Sequence, residues 1–248
     1  MVQFYVTIAE KIIQINSLYS CVKEYCKNYL TTDSNLTKNP DFIISICEND
    51  ILYEQRKSEA DDIKSGIPVR HFSNEYLETL AVYRKIAENM VDYDTLLFHG
   101  SVVAVDGEGY LFTAKSGTGK STHTRLWREH FGNKAVMIND DKPLLKVTKK
   151  GVIAYGTPWN GKHKLGENTS APLKAICILE RDSTNHIISV EKSKVYPMLI
   201  QQVYRPSEPV KLSKTLDLID AMAEKIKLYR LCCNMENDAV LTAYNGMK

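Results

Sequence analysis

The stretch Ala114-Lys115-Ser116-Gly117-Thr118-Gly119-Lys120-Ser121 constrains this chain more than any other. It fits the Walker A pattern with alanine in the first position. Glycines at 117 and 119 open backbone angles closed to other residues, so successive N–H groups can turn inward on an anion. The pattern works only if a strand delivers the loop and a helix leaves it with its positive dipole end aimed at the same anion. Both flanks comply: Tyr110–Thr113 reads as a strand, and a helix is expected from about Lys120 to about Glu129. At ordinary glycine usage a chance match in a chain of this length is on the order of a few per cent. The loop therefore predicts a bound nucleoside triphosphate, with Ser116, Gly117, Thr118, Gly119, Lys120, Ser121 and Thr122 around its phosphates. Lys120 suits the outer phosphates, and the Ser121 hydroxyl suits magnesium.

About twenty residues past Lys120, the apolar strand Ala135–Ile138 ends in Asn139-Asp140-Asp141. A carboxylate at a strand end can hold magnesium, and a second can accept the proton of an attacking hydroxyl. Adjacent residues on a regular strand face opposite ways, so both serve one site only if the backbone bends there. The same triplet also makes an ordinary polar turn. We expect Asp140 on the acceptor side and Asp141 on the metal, beside Ser121.

Two further segments are candidates. His99-Gly100 closes the apolar stretch Leu96–Phe98. Its histidine suits a donor to phosphate or acceptor, or a satisfied residue at a strand edge. Gly156-Thr157-Pro158-Trp159-Asn160-Gly161-Lys162-His163 is dense in turn formers and holds one of only two tryptophans. It suits a loop that covers phosphates or positions an acceptor, with Lys162 as its catalytic cation, or else a surface loop with Trp159 in the core. Arg125 and Arg128, three apart on the expected helix, read as a solvated face.

The remaining sequence bounds the class. The chain has 248 residues and a net charge of +2, which gives no reason to expect a nucleic-acid partner. No apolar run approaches the roughly 18 residues of a membrane span, and Met1–Glu10 lacks the features of a signal peptide. The six cysteines show no metal-ligand spacing, and a cytoplasmic location with reduced thiols is expected.

Residues 1–72 read as a small N-terminal α/β unit, and residues 73–248 as a core expected to pack as one domain. In the first, Phe4–Ala9, Lys11–Ile15 and Asp41–Cys47 are strand candidates, Ser17–Leu30 a helix, and Ser58–Ser65 a loop. In the second, Ser73 caps a helix to about Met90. Leu96–Val105 reads as one strand, turned over Asp106-Gly107-Glu108-Gly109 into Tyr110–Thr113. Leu144–Val147 and Val152–Tyr155 suit a hairpin, and Leu173–Leu179 a buried strand. Helices at about Val195–Tyr204 and Leu216–Lys227 precede a last strand, Leu228–Cys232. Pro197 fits only the first turn of its helix.

The series His99-Gly100, the Walker A loop and the paired aspartates 140–141 resembles HPr kinase/phosphorylase and its relatives in the phosphoenolpyruvate-carboxykinase-like superfamily. It is most similar to the HPr-kinase-related proteins found beside peptide-modification genes, which carry a Gly-Thr-Pro-Trp-x-Gly-Lys loop like Gly156–Lys162. The resemblance covers about Leu96–Glu180. It implies a P-loop in a mixed, β-rich α/β fold rather than a doubly wound sheet. It also implies ATP and Mg2+ as cofactors, and phosphorylation of a serine hydroxyl on a peptide or protein. By motif, Lys120 and Ser121 would hold phosphates and magnesium, Asp140 or Asp141 would act as base or metal ligand, and His99 would approach the transferred phosphate. No counterpart of the Arg-containing C-terminal signature of true HPr kinases is present, and residues 1–72 do not match their N-terminal domain. The alternatives are a carboxykinase or small-molecule kinase, for which only Lys162, His163 and Arg205 offer cations, and a nucleotide-sensing module without catalysis.

Overall fold

The computed structural model describes residues 1–32, 39–115, 117–161 and 164–248. These fall into two compact units, Met1–Asn89 and Met90–Lys248. The division falls at the last residue of the helix over Asn74–Met90.

The first unit holds strands β1 (Val2–Ile8), β2 (Lys11–Ser17) and β3 (Phe42–Ser45), in that order, with β1–β2 antiparallel and β2–β3 parallel. Alternation buries Phe4, Val6, Ile13 and Ile15. Helix formation after β2 is confined to α1 (Cys21–Tyr25) and a short 3-10 turn, where a helix over Ser17–Leu30 was expected. The chain bends before it because the Leu18 and Tyr19 N–H groups donate to the buried Glu78 carboxylate at 2.5 and 3.0 Å. The expected loop at Ser58–Ser65 is instead the end of α2 (Glu48–Lys64). That helix has almost no apolar stripe and is held by charge. Arg84, on α3 (Asn74–Met90), reaches Asp50 at 3.1 Å and Glu54 at 2.6 Å, and Lys85 reaches Asp50 at 2.7 Å.

The second unit is built on a nine-stranded mixed sheet. Its strands are β4 (Thr95–Leu97), β5 (Ser101–Val105), β6 (Glu108–Thr113), β7 (Ala135–Asn139), β8 (Leu144–Thr148), β9 (Gly151–Tyr155), β10 (Ser170–Arg181), β11 (His186–Ser189) and β12 (Lys227–Cys233). The order runs β4-β8-β9-β10-β6-β5-β7, with β12 also on β10 and β11 on β12. β10 runs parallel to both β6 and β12. The fold is a mixed, β-rich α/β fold.

The central strands are apolar throughout because both faces are covered. Val102, Ala104, Leu111, Ile176 and Ile178 point into one core with residues of α5 (Lys192–Gln202) and α6 (Pro209–Lys225). Val103, Tyr110, Phe112 and Cys177 point into the other, with α4 (Lys120–Phe131) and α7 (Asp238–Met247). Trp127 on α4 is fully buried there, its ring centroid 5.0 Å from Tyr110 and 5.1 Å from Phe112.

The expected strand Leu96–Val105 breaks into β4 and β5 at Phe98-His99-Gly100, which carries bonds to other elements: the Phe98 N–H donates to Pro143 O and the His99 N–H to Gln202 O. Pro197 lies in the body of α5, not in its first turn. Helix α7 was not foreseen. The hairpin turn is at the expected place but shorter: Asp106 and Gly107 alone make it, with positive φ of 52° and 83°, and Glu108 and Gly109 already pair in β6.

Candidate functional site

The register of three strands decides where the candidate residues meet. β5 is antiparallel to β6, with Ser101 opposite Phe112, so the start of β5 lies beside the end of β6. β5 is also antiparallel to β7, with Val102 opposite Asn139, so the end of β7 lies at the same edge. The glycine loop, His99-Gly100 and Asn139-Asp140-Asp141 are thereby gathered at one end of the sheet, although some forty residues separate His99 from Asp141.

The glycine loop leaves β6 and enters α4 at Lys120. Gly117 and Gly119 have φ of 78° and 122°, in the region that side chains rarely adopt. The loop closes on itself through Thr118, whose N–H and hydroxyl both donate to Lys115 O, at 3.2 and 2.8 Å. A second brace comes from outside. Arg181, the last residue of β10, donates from Nη2 to Gly117 O at 2.6 Å and from Nε to Thr118 O at 3.1 Å. A peptide N–H points opposite to the C=O of the same unit, so fixing these carbonyls fixes the N–H vectors of Thr118 and Gly119. Lys120 Nζ lies 3.4 Å from Ala114 O. Burial lowers the Lys120 pKa, and the Asp141 charge opposes that shift. Ser121 is exposed and Thr122 half-buried. Ser116 lies outside the described residues.

The backbone bend that the two aspartates require is supplied by Asn139. Its buried side-chain oxygen accepts from the N–H groups of Asp141 at 2.9 Å and Lys142 at 2.6 Å. Its amide donates to Thr157 Oγ1 at 3.1 Å, and Thr157 Oγ1 donates to Lys142 O at 2.8 Å. The strand end and the Gly156–Gly161 loop are thus one hydrogen-bonded piece. The aspartates diverge within it. Asp141 Oδ1 lies 3.3 Å from His99 Nε2. Burial alone would raise its pKa, but the hydrogen bond from His99 and the charges of Lys142, His99 and Lys120 outweigh that and hold the carboxyl below the usual range. Asp140 is nearly buried, and its Oδ1 accepts from the Gly161 N–H at 2.6 Å. Burial raises its pKa, only partly offset by that N–H. The surroundings therefore move the two pKa values apart, Asp141 downward and Asp140 upward.

Trp159 is buried, and Gly161 closes on Asp140, so the loop is both packed and in contact with the site. Lys162 and His163 lie outside the described residues. Arg181 and Asn139 were not singled out in the sequence. Asn139 adjoins the aspartates, but Arg181 is identified only by β10 running parallel to β6, so that both strands end at the loop.

Two cavities flank the glycine loop. One, about 560 Å³, is lined by Ala114, Gly117 and Thr118, by the apolar Ile178, Val195 and Met198, and by the charged Lys115, Glu180, Arg181, Lys194 and Arg230. The other, about 270 Å³, lies beyond Ser121 and Thr122 and is lined also by Thr124, Arg125, Arg128, Asp140 and Leu165. Among the described residues no helix is long and apolar enough to cross a membrane.

Comparison with known proteins gives three results. No match is found among curated proteins. Among solved structures, the Hpr(Ser) kinase/phosphatase from Coxiella burnetii is similar at 11% identity over 60% of this chain and 95% of that one, with a TM-score of 0.36. The family described as SynChlorMet cassette protein ScmC matches residues 69–237, more than half of the chain and all of the candidate site. This chain belongs to the SynChlorMet cassette protein ScmC family.

Proposed function

We propose that the protein is a cytoplasmic ATP-dependent kinase that transfers the γ-phosphoryl group to a serine hydroxyl of a peptide or protein. The observation that carries this reading is the convergence of a Walker A loop, an aspartate held by His99 and a buried aspartate at one end of the sheet, the parts that phosphoryl transfer to a hydroxyl requires. The serine acceptor rests on the motif resemblance to HPr-kinase-related proteins, and the cytoplasmic location on where ATP is maintained.

In this reading the larger cavity receives the nucleoside, and the loop N–H groups with Lys120 hold the phosphates. Ser121 and Asp141 fit magnesium, since a hydroxyl and a carboxylate held deprotonated are hard oxygen donors. Bound there, the ion would neutralise charge on the β- and γ-phosphates. His99 orients Asp141. Asp140 takes the acceptor proton as the serine oxygen bonds to the γ-phosphorus and the bond to the β–γ bridging oxygen breaks, that oxygen leaving with the electron pair on ADP. Lys162 is assigned to the phosphate or acceptor from its place in the loop sequence.

Incubation with γ-labelled ATP, magnesium and a panel of serine peptides tests this. Label on serine, lost in Asp140→Asn while ATP still binds, is expected. ATP binding with no transfer to any hydroxyl acceptor would leave a nucleotide-sensing module instead.

A further inference from the structure

The smaller cavity holds two arginines beside Asp140. Arg125 and Arg128 sit three residues apart on α4, on one face, and both line the cavity with Asp140, Thr124 and Leu165. Arg125 is committed to Glu129, Nη1 to Oε1 at 2.7 Å. Arg128 is half-buried, and among the described residues no carboxylate is paired with it. A guanidinium that lines a cavity and is not paired with a carboxylate presents its planar fork to whatever enters. Ser121 and Thr122, which also line this cavity, continue directly from Lys120, whereas Ala114, Lys115, Gly117 and Thr118 line the larger one. The smaller cavity thus brings Arg125 and Arg128 together with Asp140 and with the two residues that follow Lys120.

We infer that the smaller cavity is the acceptor site and that it selects a serine flanked by a carboxylate, bound by Arg128 with Arg125 in support while the hydroxyl lies at Asp140. The inference rests on the kinase reading and adds the acceptor's charge to it. Arg125 and Arg128, expected from sequence to be a solvated face, take a specificity role. The carboxylate has two sources, an acidic side chain next to serine or the peptide's own C-terminus.

The test uses the full-length protein, magnesium-ATP and synthetic peptides of one length. Their serine is flanked by Glu, by Gln or by Lys, or is C-terminal with a free carboxylate or an amide. Transfer is followed by label on serine, peptide binding by fluorescence anisotropy, and ATP affinity by calorimetry. At least one carboxylate-bearing peptide should have a KM about tenfold below its neutral counterpart, as expected for a charge-assisted contact. The side-chain and C-terminal arms identify the source. Arg128→Gln should remove that preference without changing ATP affinity, and Arg128→Glu should shift it toward the Lys peptide. Equal KM values across the panel, or a preference untouched in both Arg128 variants, would overturn the acceptor site while leaving the kinase reading intact. ATP binding without transfer to any peptide, and without anisotropy change for the carboxylate peptides, would overturn both.

Discussion

His99 Nε2 lies 3.3 Å from Asp141 Oδ1, joining the residue two before the start of β5 to the residue two beyond the end of β7. The contact orients one carboxylate of an adjacent pair and helps lower its pKa, while its neighbour Asp140 is left to the buried side. Neighbours in sequence are thereby given different chemistry by different surroundings.

The first prediction follows from that divergence. Asp140→Asn should retain magnesium-ATP affinity and lose about 10²–10⁴-fold in transfer, the usual contribution of a general base. Asp141→Asn should lose both. Calorimetry and single-turnover transfer on the same preparations distinguish them. A reversed pattern would exchange the roles, and wild-type rates in both variants would remove the pair from the mechanism.

Lys120 begins α4 and is half-buried beside Ala114 O. Lys120→Ala should abolish ATP binding detectable by calorimetry while leaving the far-ultraviolet circular dichroism spectrum unchanged, since its partner is a loop carbonyl and not the core. Unchanged affinity in a folded variant would end the nucleotide reading.

Arg181 holds two consecutive loop carbonyls. Arg181→Gln should weaken ATP affinity by about tenfold, corresponding to about 1.4 kcal/mol. Arg181→Lys should recover little, because one ammonium cannot reproduce the two-pronged guanidinium. Full affinity in the lysine variant would show that charge alone matters there.

A Cβ built on Gly161 would lie 3.0 Å from Asp140 Oδ2. Gly161→Ala should therefore push on the carboxylate assigned to the acceptor, lowering kcat several-fold more than it weakens ATP binding. Loss of both in equal measure would make the loop a general scaffold of the site.

His123, one turn into α4, accepts from Trp127 Nε1 at 3.0 Å through its Nε2. Its proton is thus on Nδ1, which is buried without a hydrogen-bond partner among the described residues. Burial lowers its pKa to about 4 from 6.5. The folded protein then binds fewer protons than the unfolded chain between these values. The stability due to neutral His123 is present above pH 6.5 and lost as pH falls toward 4. Between pH 7 and pH 5 this amounts to about 2 kcal/mol. His123→Gln keeps an acceptor for Trp127 and cannot titrate there, so its urea midpoint should fall less over that interval. An identical fall in both proteins would refute the assignment.

Local rules made much of the second unit legible. The Walker A spacing located the strand-loop-helix passage, because only glycines tolerate its backbone angles and only a helix start completes the anion site. The Asp106-Gly107 pair marked the hairpin for the same reason. The apolar strands β6, β7 and β10 were visible as continuous runs, since a sheet covered on both faces has no polar face to alternate. Helix α2 was not legible, because its stability comes from Arg84 and Lys85 on another helix and not from an apolar stripe of its own.

What the sequence by itself determined was the presence of the glycine loop, the aspartate pair and the turn-rich loop, each written within a few consecutive residues. Tertiary structure alone decided their union. The antiparallel registers of β5 with β6 and β7 bring His99 to Asp141, and the parallel register of β10 with β6 delivers Arg181 to the loop carbonyls. It also decided the fate of each aspartate, because a pKa depends on burial and on charges brought close in space, and neither is a property of two adjacent letters.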